Sequence, residues 1–163
     1  MQYSAQAVRL YNMAASAVMA DHGGVAINDL HAFASPRLGA LQLPEDVHFT
    51  EAGSAALGEQ VAQAVRQAMI GQPARLAGPT MDLRGKVAVV TGASSGCGCA
   101  IAAALEARGM VVAAVSRSSE RFATDVSDTA SVARLKAAVE AELGPPSVVV
   151  NAAGVFGPIA VIG

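Results

Sequence analysis

Residues 87–100 read VAVVTGASSGCGCA and carry two overlapping patterns that could each do chemistry. Gly92-Ala93-Ser94-Ser95-Gly96 fits G-x-S-x-G, the sharp turn that presents a nucleophilic serine. Thr91 to Gly98 also fits T-G-x-x-x-G-x-G, a turn that cradles a phosphate. An elbow serine needs an acid and then a histidine later in the chain. The three histidines are His22, His31 and His48, and all precede Ser94. No base follows Ser94 in the required order. The cradle asks less of the chain. Gly92 permits a tight turn after an apolar strand. Gly96 and Gly98 let the backbone approach a pyrophosphate and the following helix pack on a sheet. Open N–H groups at the helix start then face the anion, and the helix dipole favours it. Residue order therefore favours the cradle.

More of a pattern follows the turn. LRGKVAVVTGASSGCG resembles the opening strand and coenzyme loop of the short-chain dehydrogenase/reductases. Asp125-Val126 is similar to that family's adenine-contacting pair after the third strand. Asn151-Ala152-Ala153-Gly154 is similar to its Asn-Asn-Ala-Gly after the fourth strand, with Ala at the second Asn. The resemblance covers Met81 to Gly163 and implies a nicotinamide coenzyme as partner. Gly92, Ser94, Ser95 and Cys97, with Gly96 and Gly98 in the same turn, would lie along the pyrophosphate and its ribose. Asn151 to Gly154 would lie beside the second ribose.

The end of the second strand decides which coenzyme is taken. An acid there binds the adenosine 2′-hydroxyl and repels a 2′-phosphate. This chain has Val115-Ser116-Arg117 and no acid. A hydroxyl and a guanidinium suit a 2′-phosphate, so NADP is preferred over NAD.

Three departures accompany the resemblance. Cys97 stands where the family has Ile or Leu, a mild change because a buried cysteine acts as a small hydrophobe. Ser118–Glu120 alone separate Arg117 from a third strand at Arg121–Asp125. A parallel crossover needs about a dozen residues, so that strand is displaced or absent. The family's hydride chemistry uses a Ser-Tyr-Lys set with Tyr-x-x-x-Lys on one helix. The tyrosines here are Tyr3 and Tyr11, and the lysines Lys86 and Lys136. Proton transfer to a carbonyl would have no donor among these residues. The expected product of the second half is a coenzyme-binding oxidoreductase fragment.

The first half points elsewhere. LPEDVHFTEAG, residues 43–53, resembles the last block of the SGNH, or GDSL-type, hydrolases, esterases with Asp-x-x-His near their C-terminus. The resemblance covers roughly Tyr3 to Ile70. It implies His48 as general base and an adjacent carboxylate as its orienting partner. Glu45 stands three residues before His48 and Asp46 two before. Either could reach a ring nitrogen, and Asp46 is the shorter and nearer. The family's nucleophile lies in a Gly-Asp-Ser, which these residues lack, so an esterase is the alternative function rather than the first.

These residues need elements to hold them. Apolar periodicity places helices over 5–20, with Val8, Tyr11, Ala15 and Val18 on one face, and over 51–69, with Leu57, Val61, Val65 and Met69 inward and Thr50 as cap. A short strand is expected over 25–29, then a loop through Pro36, Gly39 and Pro44. The second half alternates: strand 87–90, helix 96–108, strand 110–115, a helix from Asp128 to Leu143, strand 147–151. Such alternation argues for a parallel sheet covered on both faces. The expected fold class is α/β: a partial Rossmann-like parallel sheet of about four strands, preceded by a helix-strand-helix fragment of an SGNH-type fold. The expected division is 1–70, a Gly/Pro linker over 71–80, and 81–163, a fusion of two partial domains.

Composition sets the outer bounds. The 163 residues are 53% hydrophobic but 4% aromatic, so Ala, Val, Leu, Ile and Met must build the core. A net charge of −2 without a basic patch argues against nucleic acid. No apolar run nears the roughly 18 to 20 residues that span a bilayer. MQYSAQAVRLYN has no signal-peptide pattern. Cys97 and Cys99, two apart, make a strained disulfide or half a metal site, and the histidines add no ligand spacing. A reduced, cytoplasmic protein without a metal is expected. SVVVN, residues 147–151, would form an apolar sheet edge prone to self-association.

Overall fold

The computed structural model describes residues 5–20, 26–44, 46, 48–70 and 83–154. Elements follow in the order α1 (Ala5–Ala20), α2 (Leu30–Ala34), a 3-10 turn (Ser35–Arg37), α3 (Leu38–Leu41), α4 (Glu51–Ile70), β1 (Val87–Thr91), α5 (Gly96–Glu106), β2 (Val111–Val115), α6 (Thr129–Glu142) and β3 (Pro146–Asn151). The three strands form a parallel sheet in the order β2-β1-β3.

β1 lies in the middle and is buried along its whole length. Its period of two sends alternate side chains to opposite faces. Ala88 and Val90 join Ile101, Ala102 and Leu105 of α5, Val61 and Ala62 of α4, and Leu83 and Met110 in one core. Val87 and Val89 join Ala113 and Val115 of β2, Phe122 from the segment after β2, and Val139 of α6 in the other. Aliphatic residues and alanine fill the first core entirely, as the low aromatic content requires.

Local rules set the helix starts. The Thr50 hydroxyl accepts from Gly53 N at 2.9 Å and donates to the Leu41 carbonyl. Asp128 Oδ1 accepts from Ala130 N and Oδ2 from Ser131 N, at 3.0 and 3.1 Å. Gly144, at φ +95, turns the chain from α6 into β3.

Several expectations are corrected. Residues 26–29 form no strand, because Asp29 caps α2 by accepting from Ala32 N at 2.8 Å. The loop expected after it is folded into α2, the 3-10 turn and α3. Among the described residues the sheet has three strands where about four were expected: residues 121–125 make one parallel bridge, Ser116 to Ala123, and no strand. Too few residues leave β2 to build a crossover, so the segment instead drops Phe122 into the core. On α1, Leu10, Met13, Ala15 and Val18 are exposed, and the side chains of Val8 and Tyr11 lie outside the described residues. The expected linker lies outside the described residues. Among the described residues no helix is long and apolar enough to cross a membrane, and no His/Cys/Asp/Glu cluster could hold a metal.

Candidate coenzyme site

The glycine-rich turn sits at the carboxyl end of β1, between the ends of its two neighbours. Ala93 N donates to the Val115 carbonyl at 3.1 Å on the β2 side. On the β3 side Thr91 Oγ1 accepts from Ala152 N at 3.1 Å and Ala153 N at 3.2 Å. Thr91 thus ties the Asn151-Ala152-Ala153-Gly154 segment to the start of the turn. The sequence pattern includes this threonine, but its clamping role needs the β1–β3 pairing to be seen.

Gly92 has φ +70, a left-handed conformation that side chains disfavour. A Cβ there would lie 2.7 Å from Ala152 O and from Ala153 N. A Cβ on Gly98 would overlap the Gly92 carbonyl oxygen. The two glycines therefore let the turn nest between α5 and the 152–153 backbone. Ser95 is the N-cap residue of α5, yet its side chain makes no capping bond. The first N–H groups of α5 have no intrahelical partner by helix geometry. Ser94, Ser95 and Gly96 are exposed, Cys97 is half-buried and Gly98 is buried. The exposed residues of this turn stand at a helix start, a geometry that could hold an anion such as a pyrophosphate.

Ser116 and Arg117 follow β2, where the Ser116 hydroxyl meets Ser118 Oγ at 3.4 Å and Ser119 Oγ at 2.9 Å. Arg117 is exposed. Asp125 and Val126 lie beyond in the turn before α6. Asp125 Oδ1 accepts from Ser127 Oγ at 2.7 Å and Ser127 N at 2.9 Å. These bonds, with a smaller contribution from the Arg117 charge, hold its carboxyl below the usual aspartate pKa. A depressed carboxylate pKa stabilises the turn above the ordinary value, and this is lost as pH falls through the folded value. Ser127→Ala should move the Asp125 titration upward in a carboxyl-carbon NMR titration; an unmoved curve would contradict the assignment.

Far from this turn in sequence, the 42–49 loop is closed by a Gln42–Phe49 bridge and by Leu43 N donating to the His48 carbonyl at 2.9 Å. It sets His48 Nδ1 2.6 Å from Asp46 Oδ1, with both side chains largely exposed. His48 N donates to the same oxygen at 3.1 Å. Glu45 lies outside the described residues. A groove of about 540 Å³ runs between residues 26–28, α4 and β3, lined by Ile27, Asn28, Val65, Val149 and Asn151 among others.

A parallel α/β sheet with a glycine-rich turn at the carboxyl end of its central strand is the arrangement that dinucleotide-binding folds use. Residues 86–162 match the family described as short chain dehydrogenase. Curated relatives include 2,3-dihydro-2,3-dihydroxybenzoate dehydrogenase of Bacillus subtilis, 36% identical over 93 residues, covering 47% of this chain and 36% of that protein. D-threitol dehydrogenase of Mycolicibacterium smegmatis is 43% identical over 90 residues, covering 45% of this chain and 35% of its own. Glycine betaine reductase of Emericella nidulans is 42% identical over 95 residues, covering 48% of this chain and 8% of its own. The chain thus spans little more than a third of the first two and less of the third. No solved structure matches it significantly. Residues 86–162 are thus similar to short chain dehydrogenases over a little under half of this chain.

Proposed function

We propose that the chain binds a nicotinamide coenzyme, NADP(H) in preference to NAD(H), and that it does so without turning over a carbonyl substrate by itself. The nesting of Gly92 against Ala152–Ala153 and of Gly98 against Gly92 carries the reading. It supports a pyrophosphate on the first amides of α5, with Ser94, Ser95 and Cys97 along it. Ser116 and Arg117 supply a hydroxyl and a cation for a 2′-phosphate, Asp125 and Val126 an adenine edge, and Asn151 to Gly154 the second ribose. When bound, the coenzyme would supply hydride chemistry. The chain's own residues bind and orient it, and no Tyr-x-x-x-Lys in these 163 residues offers the proton. Arg117→Ala should weaken NADPH about tenfold or more, the scale of one lost charge-assisted bond, and leave NADH within about twofold, measured by coenzyme fluorescence. Equal losses for both coenzymes would contradict the 2′-phosphate role. Absence of binding at millimolar NADPH and NADH would sink the whole reading.

The Asp46–His48 bond favours a second reading, that residues 1–70 are the tail of an SGNH-type hydrolase joined to the dehydrogenase segment at 81–163. Asp46 would orient the imidazole that serves as base. This arrangement expects no turnover of p-nitrophenyl acetate by this chain. Turnover lost in His48→Ala would show that a nucleophile is present.

Self-association belongs to the same proposal. β3 is the outer strand of the described sheet, and Val149, on the same face as its partner Val89, is 59% exposed. Val149→Lys should shift light scattering toward monomer; a wild-type chain that is already monomeric would overturn it.

A further inference from the structure

Helix α4 belongs to the first-half segment, yet it meets α5 at each level from the cradle downward. The Cys97 thiol, in the first turn of α5, points to Ser54 Oγ at 4.0 Å. One turn on, a Cβ placed on Gly58 would lie 2.6 Å from the Ala100 carbonyl carbon and oxygen and 2.9 Å from Ile101 N. Beyond that, Val61 and Ala62 enter the core with Ile101, Ala102 and Leu105. Arg108, after the end of α5, pairs with Glu59. Ser54 and Gly58 advance together with Cys97 and Ala100, so the two helices run parallel, with both N-termini at the cradle end. Ser54 and Gly58 are themselves buried.

A phosphate cradle made of backbone N–H groups cannot retune itself by side-chain rotation. Its affinity depends on where the first turn of α5 is held, because preorganised donors act through their position. The glycine at 58 lets α4 approach the α5 backbone itself, with no rotamer between them to absorb a change. We infer that α4 is the positioning helix of the coenzyme cradle, acting through Ser54 on Cys97 and through Gly58 on Ala100–Ile101. The N-terminal segment thereby sets the affinity for the coenzyme pyrophosphate. This rests on the coenzyme reading above and adds to it a control that the short-chain dehydrogenase segment does not contain.

The test compares two α4 variants of the full chain. Gly58→Ala pushes on α5 backbone, whereas Val61→Ala removes buried methyl groups from the same helix without adding a contact to α5. Kd for NADPH is read at a temperature where circular dichroism shows each variant folded, together with its Tm. The inference expects Gly58→Ala to raise Kd at least fivefold, and Val61→Ala to lower Tm while leaving Kd within twofold. An unchanged Kd in Gly58→Ala, or a Kd that rises equally in both variants, would overturn it. If Gly58→Ala does not fold, Ser54→Val takes its place with the same expectation. Iodoacetamide alkylation of Cys97 in a Cys99→Ser background separates the two readings. Gly58→Ala should speed it at least fivefold as α4 lifts from the first turn. A wild-type chain that fails to bind NADPH while this rate rises defeats the coenzyme reading alone. An unchanged alkylation rate defeats the positioning role whatever the coenzyme does.

Discussion

Replacing Gly98 by valine should raise the Kd for NADPH by about a hundredfold or more, which is about 2.7 kcal/mol of binding free energy or more. The reason is steric and sits at the centre of the site. The Cβ that valine brings would overlap the Gly92 carbonyl oxygen and lie 2.7 Å from its carbonyl carbon. Gly92 cannot retreat, since its own Cα faces Ala152 and Ala153 across a gap that a Cβ would already overfill. Either the turn or the start of α5 must move, and both carry the proposed phosphate contacts. Gly96→Ala is the matched comparison. Its Cβ would meet nothing within 4 Å, although its φ of +54 disfavours a side chain. It should cost stability through that backbone and disturb binding less. Isothermal titration with NADPH, on protein shown folded by circular dichroism, decides the matter. Wild-type affinity in Gly98→Val would remove the cradle from the proposal.

Truncating Leu105 to alanine should cost about 2–5 kcal/mol, the range for a leucine removed from a packed interior. Domains are stable by about 5–15 kcal/mol in all, so the variant should lie close to unfolding. Leu105 is fully buried on the inner face of α5. Its core includes Val61 and Ala62 from α4 as well as Ala88 and Val90 from β1. The loss should therefore be felt on both sides of residues 71–80. Amide hydrogen exchange in α4 and in β1 should accelerate together, and the urea midpoint should fall in one transition. Exchange that accelerates in β1 while α4 keeps its protection would show that the two segments are stable independently.

Much of the second segment was legible because its signals are local. A buried central strand reads as a continuous apolar run. Glycine at a strand–helix junction reads as a phosphate turn, and Asp128 before an amphipathic stretch reads as a cap. β1, α5, β2, α6 and β3 all lie within a few residues of their expected bounds. The match of residues 86–162 to short chain dehydrogenases agrees with that reading. The misreadings were local competitions decided by a single bond or by chain length. Val25 to Asp29 has strand composition, but the Asp29 carboxylate serves α2 instead. Residues 121–125 have the right types for a strand and too little chain before them to reach the position, so one bridge to Ser116 is all that forms.

The sequence by itself determined the order of chemistry: a serine with no histidine after it, and a glycine-rich turn with an Asn-Ala-Ala-Gly behind it. It also determined the strand–helix alternation, because those periodicities are properties of neighbouring residues. Tertiary structure alone decided how the elements meet. Thr91 clamps Ala152 and Ala153 because β1 and β3 pair in parallel across about 60 residues of chain. Gly58 faces Ala100, and Ser54 faces Cys97, because α4 settles beside α5 on the same face of the sheet. Residue spacing encodes which side of a helix is apolar. It does not encode which other helix will cover that side, since the choice is made by shape and close packing among residues far apart in the chain.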